Sequence, residues 1–544
     1  MKTQSFLTAA AIACCKMTAA SEERPPNIVF FIVDDQHRDV YNFLPENQTE
    51  NRISLPMPQL DSMAENGIVL DGMHVASPVC IPSRFIIMTG TYASRCISDG
   101  FASGSWKWGY PQVAQNTEVT DETQTIPQAL QKAGYRTGAV GKNHTIEVNN
   151  YRRLPYNADI NDPGVKKILA QNAAAQKAAY HRAGFDFAER LYYDNTFANG
   201  PSILNPHNLD WCTEGALNFL DSCGSQPFFL YYASSAPHGP YGDWMKNPLA
   251  TPEGMLKERP KGHPERSTIA ARLREHGFTP QHPKWDVYGD AVWIDDALAA
   301  LKDRLRKNGQ LDNTIIIYFN DHGVESGKTT VYQGGLHSIA LIEGPEKFVK
   351  GGRIDRSLTA SVDFGRTILG WGNALEYKQT LDGVDLAPLL ENRASKVRDS
   401  IYGEIGMSRA VRKGKWKYIA LRESDYLKNL PLEMRQARLD ACRDRMLMQG
   451  RQPFPNKATD PFAHIGWLPG GWDNTWSAMK EHPHYFDVDQ LYNLEEDPNE
   501  KVNLAGDPQY AGILKEMKHE LGNYLSTLPG QFGEFQSHCT ATVN

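Results

Sequence analysis

Four short, strongly apolar runs constrain the fold of this chain more than any other feature. They occupy residues 27–33, 136–140, 227–232 and 314–319. Most are rich in β-branched or aromatic residues and polar residues follow them, as is typical of strands buried on both faces of a parallel sheet. Between the last two runs, apolar residues recur at helical spacing from Ile294 to Leu305. Alternating strands and helices predict an α/β fold with a large, mostly parallel sheet flanked by helices.

Polar side chains follow each of these four runs. Ligands of open α/β sheets bind beyond the carboxyl ends of the strands, so we expect these side chains to meet at one edge. Any single placement is weak evidence, but four together predict a functional site there. The residues are Asp34, Asp35, Lys142, His144, His238, Asp321 and His322.

Length and composition indicate a large globular chain with two domains. The 544 residues are 41% apolar and can bury a sizeable core. After about residue 370 the pattern changes to a hairpin at 408–419, long polar stretches and a final helix near 511–526. We therefore predict an α/β domain at 27–370 and a smaller C-terminal α+β domain at 395–530. Nucleic-acid binding is not indicated, because the formal net charge is −7 and no basic stripe is visible.

The N-terminus has the pattern of a signal peptide, predicted at residues 1–20. Lys2 precedes a short apolar stretch and small residues that suit cleavage. The stretch is too short to span a bilayer, and no later run is apolar enough, so no transmembrane segment is expected. The protein is predicted to be secreted or periplasmic. Cysteines are sparse, and a helix across Cys212 and Cys223 would hold them too far apart to form a disulfide.

Cys80 opens the run Cys-Ile-Pro-Ser-Arg. Pro82 suits the first turn of a helix, which the pattern extends through 84–92. Unpaired N–H groups and the helix dipole favour an anion at such a position, and Arg84 adds a positive charge one turn on. A buried, unreactive thiol is the alternative for a lone cysteine.

The pentapeptide from Cys80 to Arg84, followed by Thr89-Gly-Thr-Tyr92, resembles the maturation signature of type I sulfatases in the alkaline-phosphatase-like superfamily. The resemblance spans 27–344 and, more weakly, 494–499. It implies that a formylglycine-generating maturation enzyme oxidises Cys80 to 3-oxoalanine (Cα-formylglycine). The hydrate of this aldehyde is then the nucleophile.

A metal site is indicated by residues and resemblance together. The adjacent carboxylates of Asp34 and Asp35 repel each other unless a cation lies between them, although a solvated turn is the alternative for such a pair. Oxygen ligands suit Ca²⁺. The resemblance implies that Asp34, Asp35, Asp321, His322 and the hydrated aldehyde at Cys80 bind the metal. The position of His322 is often Asn in this family, and its imidazole leaves Mn²⁺ or Zn²⁺ as alternatives.

The remaining site residues take their roles from the resemblance. Lys142 and His144 lie in Gly-Lys-Asn-His and are expected to hold the sulfate and the oxygen of the nucleophile. His238, in Ala-Pro-His-Gly, is expected to protonate the leaving group, and Lys328 to bind the sulfate. Together with Arg84 and a divalent metal, these cations would stabilise the charge that develops on the oxygens in the transition state.

The sequence therefore predicts a sulfuric ester hydrolase that acts on a sulfated saccharide. One alternative is a phosphodiester or phosphonate monoester hydrolase of the same superfamily. Another is a non-catalytic protein that binds sulfated glycans. Residues that could line the mouth of the pocket are His37, Arg38, His337, Arg409 and the polar insertion at 251–284.

Overall fold

The computed structural model describes residues 24–49, 52–196, 200–261, 266–374, 376–448, 450–453, 457–460 and 472–535. The predicted signal peptide at 1–20 lies outside these residues. None of the helices in the described ranges is both long and apolar enough to cross a membrane.

The described residues form sixteen strands. They are β1 (Asn27–Val33), β2 (Ile68–Leu70), β3 (Met73–His74), β4 (Arg136–Lys142), β5 (Phe187–Tyr192), β6 (Phe228–Ala233), β7 (Ala250–Thr251), β8 (Gly254–Met255), β9 (Thr314–Asn320), β10 (Ala340–Glu343), β11 (Arg353–Asp355), β12 (Thr359–Ala360), β13 (Ser400–Ile405), β14 (Ser408–Lys413), β15 (Trp416–Leu421) and β16 (Asp489–Asn493).

The same residues form fifteen α-helices. They are α1 (Pro58–Asn66), α2 (Cys80–Thr89), α3 (Asp99–Trp108), α4 (Ile126–Lys132), α5 (Pro163–Arg182), α6 (Leu209–Cys223), α7 (Arg266–Glu275), α8 (Trp285–Lys307), α9 (Gln333–Leu336), α10 (Asp363–Trp371), α11 (Ala387–Leu390), α12 (Asp425–Lys428), α13 (Leu432–Met448), α14 (Trp472–Glu481) and α15 (Ala511–Ser526).

The main sheet has eight strands in the order β11-β2-β10-β9-β1-β6-β4-β5. Strands β9, β1, β6, β4 and β5 are mutually parallel, and β10 runs antiparallel to both β9 and β2. The four apolar runs correspond to β1, β4, β6 and β9. The carboxyl ends of these four strands therefore lie along one edge, which places the polar residues that follow them close together.

Helices cover both faces of this sheet. Successive side chains of a strand point to opposite faces, and β1 divides its residues accordingly. Ile28, Phe30 and Ile32 belong to a core that includes α2, α4 and α10. Val29, Phe31 and Val33 belong to a second core with α6 and α8. Burial on both faces explains why β1 is apolar throughout rather than alternating.

A separate four-stranded antiparallel sheet, in the order β13-β14-β15-β16, lies in the C-terminal part of the chain. Helix α15 packs against β14 and β15, and the core on the α2 side of the main sheet continues into this smaller sheet. The predicted α/β fold with a smaller C-terminal α+β domain is thus confirmed. The predicted boundaries at 370 and 395 stay predictions.

The end of α2 differs from the prediction, and the two cysteines of α6 agree with it. The helix that begins at Cys80 ends at Thr89 rather than at 92, because Gly90 adopts a left-handed conformation (φ 67°) that terminates the helix. Cys212 and Cys223 both lie on α6 and are free thiols.

Candidate active site

Asp34 lies at the centre of the polar cluster, directly after β1. Its carboxylate is fully buried and accepts hydrogen bonds from Arg84 Nη2 at 2.7 Å and Lys142 Nζ at 2.6 Å. Burial alone would raise the pKa of Asp34, but Lys142 and Arg84 hold it well below its usual range. Asp34 is therefore ionised and compensates two buried cations.

Asp35 turns away from Asp34 and contacts the cations on the other side of the cluster. Its backbone is left-handed (φ 64°), an uncommon conformation for a residue other than glycine. Its carboxylate lies 2.5 Å from Lys328 Nζ and 3.6 Å from His238 Nε2. Burial opposes ionisation, but Lys328 and His238 lower the pKa of Asp35 to about 2.

Cys80 is the first residue of α2, and its side chain reaches into the same cluster. Its Sγ lies 3.5 Å from Asp34 Oδ1 and 3.2 Å from His322 Nε2. Burial and the charge of Asp34 raise the pKa of the thiol well above its usual value, despite its place at the helix N-terminus. An unmodified Cys80 is therefore a protonated thiol and a poor nucleophile.

Asp321 and His322 follow β9, next to β1. Burial and the charge of Asp34 raise the pKa of Asp321 to about 6. His322 Nδ1 lies 3.0 Å from the carbonyl oxygen of Gly323. Because a carbonyl only accepts hydrogen bonds, Nδ1 carries a proton, and Nε2 faces the cluster, 3.5 Å from both Asp321 Oδ1 and Asp35 Oδ1.

These groups fit a divalent cation. Ligand atoms of Asp34, Cys80, Asp321 and His322 all lie within 4.8 Å of one another, as do those of Asp34, Asp35 and His238. Burial and the neighbouring carboxylate of Asp34 raise the pKa of Asp321, as expected where carboxylates crowd together without a cation between them. The ring of His322 has the orientation of a metal-binding histidine, because Nδ1 is bonded to a carbonyl and Nε2 faces the carboxylates.

Lys142 and His144 lie at the end of β4. Lys142 is fully buried, and its Nζ contacts Asn195 Oδ1 at 2.5 Å in addition to Asp34. His144 has a left-handed backbone (φ 62°), and its Nε2 lies 2.9 Å from Asp194 Oδ1. Lys142 therefore contacts Asn195, and His144 contacts the adjacent Asp194.

His238 follows β6, in a loop that a second histidine supports. Its Nδ1 lies 2.8 Å from the carbonyl oxygen of Gly239 and is therefore protonated. The remaining nitrogen, Nε2, faces Asp35. His207 Nε2 donates to the carbonyl oxygen of His238 at 2.8 Å, and its Nδ1 contacts Ser235 Oγ at 2.8 Å.

All ten predicted site residues therefore lie in one contact network at the carboxyl edge of the sheet. The sequence interpretation missed Asp194, Asn195 and His207. Asp194 and Asn195 follow β5, so the rule that found the other residues applies to them as well. However, β5 carries Glu189 and Arg190, so its sequence does not resemble a buried strand.

The residues predicted to line the mouth of the pocket differ in their contacts. His37 and Arg38 lie close in sequence to Asp34 and Asp35. His37 contacts Glu325 at 3.4 Å, and Arg38 pairs with Asp71 at 2.6 Å. His337 Nε2 lies 2.7 Å from the carbonyl oxygen of Asp71.

Arg409 is not a mouth residue. Its side chain is buried, and it donates to the carbonyl oxygen of nearby Gly406 and to that of Pro111, which is distant in sequence. The guanidinium satisfies backbone acceptors and has no access to solvent. In the insertion at 251–284, Arg266 pairs with Asp210 of α6 at 2.7 Å and fixes α7 against the main body.

Fold and site together define a hydrolase of the alkaline-phosphatase-like superfamily. The sequence matches the Sulfatase family profile over residues 26–374, well over half of the chain. The chain belongs to the sulfatase family and is a sulfatase.

Named relatives agree with this assignment. Human N-sulphoglucosamine sulphohydrolase is 23% identical over 505 residues, which cover 88% of this chain and 87% of the relative. An ulvan-active sulfatase from Formosa agariphila is 21% identical and covers 87% of this chain and 71% of the relative. An N-acetylglucosamine-6-O-sulfatase from Bacteroides thetaiotaomicron is 24% identical over 72% of this chain and 76% of the relative.

Solved structures share the fold. An enzyme bound to its substrate D-glucosamine-2-N,6-O-disulfate superposes with a TM-score of 0.56 at 19% identity, covering 92% of this chain and 97% of the other. A phosphonate monoester hydrolase from Silicibacter pomeroyi gives a TM-score of 0.55 at 18% identity, covering 93% and 96%. At these identities the likeness concerns the fold alone.

Proposed function

We propose that this sulfatase releases inorganic sulfate from a sulfated carbohydrate, with the hydrated aldehyde of an oxidised Cys80 as nucleophile. The buried position of Cys80 carries the proposal. It lies at a helix N-terminus, in contact with Asp34 and His322 and in the electrostatic range of Lys142 and Lys328. Such a site attracts a sulfate monoester, because fixed cations in a water-poor pocket stabilise charge on its oxygens.

A divalent metal fits this proposal. Asp34, Asp35, Asp321 and His322 would hold it together with an oxygen of the modified Cys80. Three carboxylates favour Ca²⁺, while the imidazole also suits Mn²⁺ or Zn²⁺. When bound, the metal supplies a positive charge that polarises the sulfate and acidifies the hydrate.

In the first step, one hydroxyl of the hydrate at position 80 attacks sulfur, and the bond from sulfur to the sugar oxygen breaks. Lys142 and Lys328 hold the sulfate oxygens. His238 donates a proton from Nε2 to the departing oxygen, since its Nδ1 is hydrogen-bonded to the carbonyl oxygen of Gly239. Asp35 stabilises the imidazolium that this requires, against the burial that lowers the pKa of His238.

In the second step, the remaining hydroxyl at position 80 loses its proton. Its electron pair forms the aldehyde, and the bond from carbon to the sulfate oxygen breaks. Sulfate leaves, and water adds to the aldehyde to restore the hydrate. His144 suits the role of proton acceptor, because it is buried beside Lys142 and its pKa is lowered to about 4 by burial and by that lysine.

A carbohydrate substrate is supported by the relatives. Human N-sulphoglucosamine sulphohydrolase and an N-acetylglucosamine-6-O-sulfatase are named for sulfated sugars, and another relative for ulvan. Export to the periplasm or medium, after oxidation of Cys80 by a maturation enzyme, belongs to the same proposal. It is supported by the signal-peptide pattern at 1–20.

The experiment that tests the function compares sulfate release from a panel of defined sulfated oligosaccharides with turnover of an aryl sulfate and an aryl phosphodiester. We expect sulfate release from at least one oligosaccharide, and a higher kcat/KM for the aryl sulfate than for the phosphodiester. A preference for the phosphodiester would favour the alternative that the Silicibacter neighbour represents. Cys80 that carries no aldehyde in active protein would overturn the nucleophile.

Replacing His238 by glutamine is expected to affect substrates according to their leaving group. A sugar alkoxide needs protonation, so kcat for a sugar sulfate should fall by about 10²- to 10⁴-fold. A nitrophenolate leaves without a proton, so nitrophenyl sulfate should lose far less. Steady-state kinetics on both substrates measure the difference. The His276→Gln variant, at an exposed position, is the control. Equal losses on both substrates would rule out the acid role.

A further inference from the structure

Asp194 contacts His144 but has no role in the steps described above. Asp194 Oδ1 accepts from His144 Nε2 at 2.9 Å and from its neighbour's backbone, Asn195 N, at 2.6 Å. Its other oxygen lies 3.5 Å from Arg153, a largely exposed side chain. The carboxylate therefore contacts both the buried imidazole and an exposed guanidinium.

This contact fixes the tautomer of His144. An ionised carboxylate only accepts hydrogen bonds, so Nε2 must carry a proton. Hydrogen bonding to His144 and Asn195 and the nearby Lys142 lower the pKa of Asp194, against the opposing effect of its burial, and keep it ionised. In the neutral imidazole, the lone pair is then on Nδ1. The opposite tautomer would lose the contact with Asp194.

Nδ1 of His144 is buried and has no hydrogen-bond partner among the described residues. The side chain as a whole is 8% exposed. A buried polar atom without a partner is costly, and in a site it indicates a place where a ligand donates a hydrogen bond. His144 lies two residues from Lys142, which contacts Asp34 beside Cys80, so the same strand end carries this acceptor and a residue of the polar cluster.

The backbone holds the pair rigidly. Strands β4 and β5 are parallel neighbours, and their pairing continues past their ends. Asn143 N donates to the carbonyl oxygen of Tyr192 at 2.8 Å, and His144 N to that of Tyr193 at 3.2 Å. The two segments that carry His144 and Asp194 are therefore fixed against each other before substrate arrives.

We propose that Asp194 is a positioning residue that holds His144 in the tautomer whose Nδ1 accepts the proton of the remaining hydroxyl at position 80. This inference rests on the proposed function. The proton moves from that oxygen to Nδ1, the oxygen's electron pair forms the aldehyde, and sulfate departs with the electrons of the broken carbon–oxygen bond. The positive charge that His144 gains is stabilised by the carboxylate of Asp194.

The proposal predicts a defect confined to the second step. The Asp194→Asn variant retains the shape but loses the charge, and its amide can donate to Nε2 and impose the wrong tautomer. We expect kcat to fall by about 10²- to 10⁴-fold, as for other carboxylates that orient a catalytic histidine. With nitrophenyl sulfate, rapid mixing should show a burst of one nitrophenol per aldehyde. Intact-mass analysis should show enzyme heavier by one SO₃ group.

Arg153→Ala is the matched control, because it removes the other charged partner of Asp194 and leaves His144 untouched. It should give neither a burst nor a sulfated enzyme. All rates are normalised to the aldehyde content measured by peptide mass spectrometry. If Asp194→Asn fails to fold, Asp194→Ser removes the same carboxylate at a partly exposed position and gives the same test.

A folded Asp194 variant with unchanged kcat, or with both steps slowed equally and no burst, would overturn the proposal. These outcomes are distinct from a failure of the proposed function. In that case the wild-type protein itself would release no sulfate from any substrate.

Discussion

Replacing Cys80 by serine, in a host that leaves serine unoxidised, is expected to lower kcat by at least about 10³-fold. A serine hydroxyl can be sulfated, but its carbon bears no second hydroxyl that could expel the sulfate. Release from serine would need water to attack sulfur, a step that expulsion of sulfate from the hydrate avoids. Sulfate release per mole of folded protein measures the effect.

Cys96→Ser is the control for this substitution. Cys96 is another buried free thiol, whose Sγ contacts Ser98 Oγ and not the polar cluster. Its replacement should leave kcat within about 2-fold, as expected for a small change remote from the chemistry. Full activity of Cys80→Ser in protein that carries no aldehyde would contradict the proposed nucleophile.

Asp34→Asn is expected to abolish metal binding and turnover together. The substitution removes one charge from the group of carboxylates that fits a cation. It also leaves the buried Arg84 and Lys142 without their shared counter-ion. Loss of one partner of a buried pair costs about 3–5 kcal/mol, so the free energy of unfolding should also fall. Elemental analysis and urea denaturation measure the two effects.

Asp121→Asn provides the comparison at the surface. Asp121 pairs with Arg182, and both side chains are substantially exposed. Such pairs are worth about 0–1 kcal/mol, so stability, metal content and kcat should barely change. An Asp34→Asn protein with full metal content and unchanged stability would refute the central role assigned to Asp34.

The rule that polar residues gather at the carboxyl edge of a parallel sheet predicted most of this site from sequence. It worked for β1, β4, β6 and β9 because burial on both faces makes these strands apolar and easy to recognise. It could not show which carboxylate faces which cation. That Asp34 contacts Lys142 while Asp35 contacts Lys328 depends on the left-handed backbone of Asp35, which no residue pattern indicates.

The sequence interpretation missed the residues that follow an edge strand and the distant partners of a buried side chain, for a different reason. β5 is an edge strand, only partly buried, and carries charge, so Asp194 and Asn195, which follow it, were not recognised. Arg409 was misjudged because arginine is usually exposed. In this protein, backbone carbonyls separated from it by up to 298 residues in sequence satisfy its guanidinium.

The closed packing around Cys80 has a consequence for timing during biosynthesis. Ser83 and Arg84 are buried with it and bonded to the end of β9, so the pentapeptide is inaccessible once α2 has docked. Any enzyme that oxidises the thiol has to reach it on a nascent or unfolded chain. If Cys80 is oxidised as proposed, oxidation and folding compete, and a molecule that folds first keeps its thiol. The specific activity of a preparation would then depend on the rate of oxidation of Cys80 relative to the rate of folding.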